Sequence, residues 1–401
     1  MSIDLLGMAR AYEGEMVAFL GDLVRIRSVN GREGETAVAQ RIVEEAVKLN
    51  LPAQLVAAEP ERANVVVQWG EGAAGFAFIA HIDTVAEGEA GLWTQPPFAA
   101  EVVEGKMVGR GTADNKAGIA IGLYTLAMLR DHKLLDPAQV RVLVAGVVDE
   151  ESGASSKLGV RYLLDEGYLP VQGAIYAYAS DIVCVGHRGL LRLRLRAQGQ
   201  SVHTGSAEWS RGEGGVNAVL GLTAVLLQLE NLHLPAPEHP AFAEYGCTIT
   251  PGTLFQGGEF ESIVPAAAEA LVDVRLMPGQ AVAGVLTAVQ RIIDEVTSQR
   301  PGLSIAMSIK NSLPAAAMAM DHPLAQIAQR HAQAITGAEW PIRGAGPANE
   351  GYMLLGAGIP TLPGFGPRGG NAHAPDEWVE VASLTATVAT FAGIVRDYLG
   401  A

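Results

Sequence analysis

Two stretches of this chain leave no face for water. Phe76–Ala80 is apolar at every position, and Val142–Val148 is broken only by Gly146. Strands of that kind must be covered on both sides, which is the condition of a parallel sheet between helical layers. The segments around them have helical spacing: 4–26, 34–49, 114–132 and 156–167. "NVVVQW" (64–69) and "FAFIAHIDTV" (76–85) read as strands, the second one central. Strands alternating with helices predict an α/β fold, a mostly parallel sheet covered by helices.

Near residue 190 the pattern changes. "LLRLRLRAQG" (190–199) alternates strictly, as a half-exposed strand does. A helix over 214–232, strands at 247–258 and 267–279, a helix over 281–299 and a strand at 303–312 follow. That order, β-α-β-β-α-β, predicts a ferredoxin-like α+β layer inserted into the larger domain. The expected division is 1–189 with 308–401 for the main domain, and 190–307 for the insert. The basic "RLRLR" strand is expected at the insert's edge, free to pair with its twin in a homodimer.

A length of 401 residues is too great for one ordinary core and suits two domains. The formal net charge of −15 opposes nucleic acid and anionic membrane surfaces as partners. No apolar run reaches the roughly 18 residues of a membrane span. The first residues carry acids and no basic region ahead of an apolar core, so no secretory signal is expected. Only two cysteines occur, Cys184 and Cys247, in apolar settings. A reducing cytoplasm fits them, and a buried Cys184 is expected to be inert.

The chemistry concentrates in four places. "AHIDTV" sets His81 and Asp83 two apart at a strand end, so both face one way. "GRGTADNKAG" places Asp114 after a glycine-rich turn and before a helix. "VVDEESG" puts Asp149, Glu150 and Glu151 at the end of a buried strand. "GGNAHAPDEW" holds His373 between glycines and Pro375. Three adjacent carboxylates repel one another, so positive charge from Lys, Arg or a metal should meet them. In a parallel sheet the loops after the strands gather along one edge. His, Asp, Glu and His collected there form a nitrogen and oxygen ligand set suited to zinc, and less well to cobalt or manganese.

In these motifs, and in the insert, the chain resembles the M20 family of metallopeptidases and deacylases over nearly its whole length. The resemblance implies a zinc-exopeptidase-like catalytic domain with a lid and dimerisation insert. It implies two zinc ions, which Co or Mn can replace. His81 would bind one, Asp83 would orient that imidazole, and Asp114 would bridge the pair. Glu151 and His373 would hold the other ion, with Glu150 as general base. The implied reaction is amide hydrolysis of an N-acyl amino acid or small dipeptide by metal-activated water. His203, in "GQSVHTGS", would steady the oxyanion in a partner subunit's site. Asn217 and Arg275 would bind a substrate carboxylate, and Asn349, in "GAGPANEG", would contact substrate. A strand pair between Asp273 and Arg275 is the structural rival for Arg275.

One part of the family pattern is missing. An acid that completes the first metal's shell is expected shortly before the turn His187-Arg188-Gly189. It falls near Tyr176 or Ala177, and neither is a carboxylate. Three readings remain open. Asp181 takes over through a shifted loop; or water or a tyrosine replaces the acid; or that site is empty. The alternative function is a non-catalytic relative that binds a small molecule or peptide beside an incomplete metal site.

Overall fold

The computed structural model describes residues 3–400. The chain divides into two compact units, Arg188–Ala315 and the remainder.

The larger unit is built on a six-stranded sheet. Its order is Ala53–Glu59, Arg62–Trp69, Val140–Val147, Ala74–His81, Ala174–Tyr176 and Thr361–Pro363. The last four run parallel, and Arg62–Trp69 is antiparallel to Val140–Val147. Alternate residues of the Ala74–His81 strand feed two separate cores. Ala77 and Ile79 pack with Leu143, Ala145, Val160, Leu163, Met353 and Leu354. On the opposite side Phe78 stacks on Phe391 of the helix Val381–Leu399, ring centroids 4.7 Å apart. The helix Ala117–Asp131 is buried over nearly its whole length. It comes very close to the sheet because Gly118 has no side chain. A Cβ there would lie 2.8 Å from those of Ala80 and Ala177.

Residues 4–26 form two helices, Leu5–Arg10 and Glu13–Arg25, where the spacing predicts one. No breaker residue marks the join. The tertiary structure makes it: Tyr12 donates its hydroxyl to Asp131 and packs its ring near Tyr124.

The insert has four antiparallel strands, ordered Thr248–Gly257, Ala267–Leu276, Gly189–Gln198 and Ser304–Leu313. Helices Ala218–Glu230 and Val282–Ser298 supply Leu222, Val225, Val289 and Ile293 to a core with Leu191, Leu193 and Leu195. Two expectations change here. The "RLRLR" strand lies inside the sheet, paired on both sides, so it is not a free edge. Its arginines answer acids of the adjacent strand: Arg192 with Asp273, Arg194 and Arg196 with Glu269. The edges are Thr248–Gly257 and Ser304–Leu313. The division expected at 308 falls within that last strand, which stays paired as far as Leu313 opposite Leu190.

Candidate metal centre

Parallel pairing sets His81 level with Val147, so the strand bearing His81 and the strand leading to Asp149, Glu150 and Glu151 end side by side. The glycine-rich turn brings Asp114 to the same edge. The pairing of Trp378–Glu380 with Lys106–Val108 carries the 371–377 loop there as well.

These arrivals converge on Asp114. Its Oδ1 lies 2.8 Å from His81 Nε2, and its Oδ2 lies 3.2 Å from His373 Nε2. His373 Nε2 is also 3.0 Å from Glu151 Oε1. Ligand atoms of His81, Asp114 and Glu151 all fall within 4.8 Å of one another. His81 Nδ1 faces the Asp83 carbonyl oxygen at 3.0 Å. A carbonyl only accepts, so Nδ1 carries a proton, and Nε2, which faces Asp114, is the nitrogen where a cation would take the place of a proton. The donor set therefore fits divalent cations of the zinc type. The nearby lysine does not compete. Lys116 is fully buried and turned away, its Nζ donating to the carbonyls of Leu23 and Ile26, and burial brings it down to about 7.

The three consecutive acids meet three different partners. Asp149 accepts from Arg62 at 2.8 Å, which also grips buried Glu35, and from Asn30 at 2.9 Å. That positive charge is an arginine, not a metal. Glu150 is buried and accepts the Tyr178 hydroxyl at 3.1 Å. Burial, with the carboxylates of Glu151, Asp114 and Asp83, pushes Glu150 up to about 8 against the pull of His81. Glu151 faces His373.

Charge follows the same pattern elsewhere. Burial by itself would raise Asp114, but hydrogen bonds with His373 and His81 outweigh it and hold the carboxyl below the usual range. Those to Asp114 and Glu151 push His373 up to about 10. Burial opposes the charge on His81, yet Asp114 and Asp83 raise it well above an ordinary histidine. Fully buried Asp83 accepts from Asn30 Nδ2 at 2.7 Å and from the Glu151 backbone N–H at 3.0 Å.

The chain as a whole matches known proteins. Residues 77–397 match the model of the peptidase family M20/M25/M40. The chain belongs to this family. It is similar to a probable succinyl-diaminopimelate desuccinylase of Staphylococcus epidermidis, 27% identical over 66% of this chain and 69% of the relative. Its fold is that of the aminopeptidase PepT of Bacillus cereus, with a TM-score of 0.76, 16% identity, and 97% of this chain and 99% of the other covered. It is likewise that of the Bacillus subtilis YXEP protein, described as a dinuclear metal binding peptidase. There the TM-score is 0.70 at 18% identity, covering 98% and 99%.

Against the M20 pattern, the missing acid stays missing. Tyr176 and Ala177 are buried, and Asp181 is exposed. Asp181 lines a separate cavity of about 660 Å³ with Ile182, Trp340 and Thr387, away from the ligand cluster. The loop is turned that way because the Ser180 N–H is tied to the Pro367 carbonyl. The side chain that reaches the centre is Tyr178.

The remaining M20 expectations fall on residues already engaged. The Asn349 amide donates to the Pro363 carbonyl, and its oxygen accepts from Gly351 N–H, so both ends pin its own loop rather than project from it. In the insert, Asn217 caps its helix through Leu220 N–H. Arg275 pairs with Asp273 at 2.8 Å, the structural rival foreseen for it. His203 Nδ1 accepts from Gly205 N–H at 3.0 Å, which fixes Nε2 as the donor.

Sequence reasoning missed four residues. Glu377, fully buried, accepts the N–H groups of Gly111, Ala113 and Asp114 and pairs with buried Arg110. Asn30 joins Asp83 to Asp149. Tyr178 holds Glu150. Glu350, wholly buried beside Tyr176, is pushed well up by burial and by Glu150. Two of them carried a signal: Glu377 stands four residues after His373 in its motif, and Glu350 follows Asn349 in "GAGPANEG".

Proposed function

We propose that this chain is a zinc-dependent amidohydrolase of the cytoplasm that hydrolyses an N-acyl amino acid or a small dipeptide. The observation that carries this reading is Asp114, whose two carboxylate oxygens face two different imidazoles at 2.8 and 3.2 Å. A carboxylate so placed suits a bridge between two cations. The description of the Bacillus subtilis neighbour as dinuclear supports two ions. The desuccinylase relative supports an acyl amino acid, and the aminopeptidase neighbour a small peptide.

In this reading His81 and Asp114 would hold one ion, and Asp114, Glu151 and His373 would hold the other. Bound cations would polarise the scissile carbonyl and acidify water. Glu150 takes the proton from the attacking water and returns it to the departing amine. Asp83 fixes the His81 ring. His203 offers Nε2–H to the oxyanion of a partner subunit in a homodimer joined through the insert. Arg275 and Asn217 meet a substrate carboxylate after giving up their present partners.

The test is Glu150→Gln assayed on N-acetyl, N-succinyl and N-aromatic amino acids and on dipeptides. Turnover should fall at least about 100-fold while bound metal is unchanged. Wild-type turnover by that variant would overturn the mechanism.

A further inference from the structure

Resting on that metal-centred reading, we infer that the two cation positions are unequal, and that Tyr178 makes them so. Counting protein atoms around Asp114 shows the difference. On the His373 side, Asp114 Oδ2, His373 Nε2 and Glu151 Oε1 face one another at 3.0 and 3.2 Å. That side offers three ligand atoms with complementary charge. On the His81 side, Asp114 Oδ1 and His81 Nε2 meet at 2.8 Å; the Glu151 carboxylate lies within 4.8 Å of both but is engaged by His373, and Tyr178 lies beside His81. Its ring centroid is 5.7 Å from that of His81.

Tyr178 contributes no ligand there. Its hydroxyl is donated to Glu150 Oε1 at 3.1 Å, and its ring stacks on Tyr176 at 5.2 Å. The residue therefore fills the space a third ligand needs and uses its polar end to orient the general base. Neighbouring candidates cannot make up the loss. Ala177 has no donor, and Asp181 lines a separate cavity.

A hard or borderline cation with two protein ligands must keep more water and dissociates more readily than one with three. The chain should thus hold one divalent cation firmly, on Asp114, Glu151 and His373. A second should exchange on His81 and Asp114. A glutamate at 178 would change this, because its carboxylate reaches the volume now taken by the tyrosine ring, beside His81.

The experiment is equilibrium dialysis of the full chain against graded free Zn²⁺, with metal per chain counted by mass spectrometry. Cobalt absorption spectra report ligand number independently of turnover. Wild type should bind one equivalent firmly and a second at least about tenfold more weakly. His373→Ala should remove the firm equivalent, and His81→Ala should leave it in place. Tyr178→Glu should tighten the second equivalent toward the first. If that variant fails to fold, the two histidine variants carry the test. Two equivalents of equal affinity in wild type, or loss of the firm one in His81→Ala alone, would overturn the inference and leave the hydrolase reading intact. A chain that binds no Zn²⁺ at all would overturn both.

Discussion

Glu377 Oε1 accepts the backbone N–H of Asp114 at 2.9 Å, and those of Ala113 and Gly111 at 2.9 and 3.1 Å. One buried carboxylate thus fixes the turn that aims the residue between the two histidines. Its other oxygen holds Arg110, which is itself 1% exposed. Glu377→Ala strands that guanidinium and three N–H groups together. A stability loss of about 3–5 kcal/mol is expected, read from chemical denaturation. Glu377→Gln keeps an acceptor for the turn and should cost less.

Asn30 tests the support beneath His81. Its amide donates to Asp83 and Asp149 at 2.7 and 2.9 Å and keeps two acids in place. Asn30→Ala removes one donor from the Asp83 carboxylate, whose Oδ1 lies 3.5 Å from His81 Nδ1, and loosens its hold beside that ring. Metal affinity should drop roughly 10- to 100-fold, measured by competition with a chromogenic chelator, while the far-ultraviolet spectrum is unchanged.

Removing metal should also weaken the fold. Glu150, Glu151, Asp114 and Asp83 are crowded around two histidines, and bound cations would offset their repulsion. A ligand present at 100 times its dissociation constant adds about 2.7 kcal/mol. Dialysis against a chelator should therefore lower the melting temperature and abolish hydrolysis. Zn²⁺, Co²⁺ or Mn²⁺ should restore both, and Mg²⁺ should not. A melting temperature indifferent to chelation contradicts this.

Asp397 offers a pH test away from the centre. Burial would raise its carboxyl, but hydrogen bonds from Arg396, His331 and Arg330 bring it down to about 2. A carboxyl depressed in the folded state stabilises at pH above its unfolded value, and the gain disappears as pH falls through the folded one. Asp397→Asn should thus lose about 1 kcal/mol near neutral pH, after allowance for solvent screening. The gap from wild type should close between about pH 4 and 2. A gap that is constant across that range would assign the loss to packing.

The parts legible in the sequence were those written in local pattern. Continuous apolar runs fixed the doubly covered strands, and strict alternation at 190–199 marked the half-buried strand. His81, Asp114, Glu151 and His373 stood at strand ends and glycine-rich turns, where side chains of one sheet edge must meet. What pattern could not hold was neighbourhood. Arg192, Arg194 and Arg196 alternate identically in an edge strand and a central one. Only the pairing with Ala267–Leu276 and Ser304–Leu313 distinguishes them. Tyr178 reads as another aromatic residue until its hydroxyl is found on Glu150. Arg62 lies 87 positions from Asp149, so nothing nearby in the chain announces their pairing.

His187 and Ala316 are cross-strand partners in a short antiparallel bridge. The polypeptide leaves the larger unit and comes back to it at one point. To that bridge, which belongs to a short three-stranded sheet separate from the one bearing His81, everything in Arg188–Ala315 is an enlarged hairpin tip, and a tight two-residue turn could close the same gap. The module is therefore placed as a cassette, joined outside the register that holds His81 level with Val147.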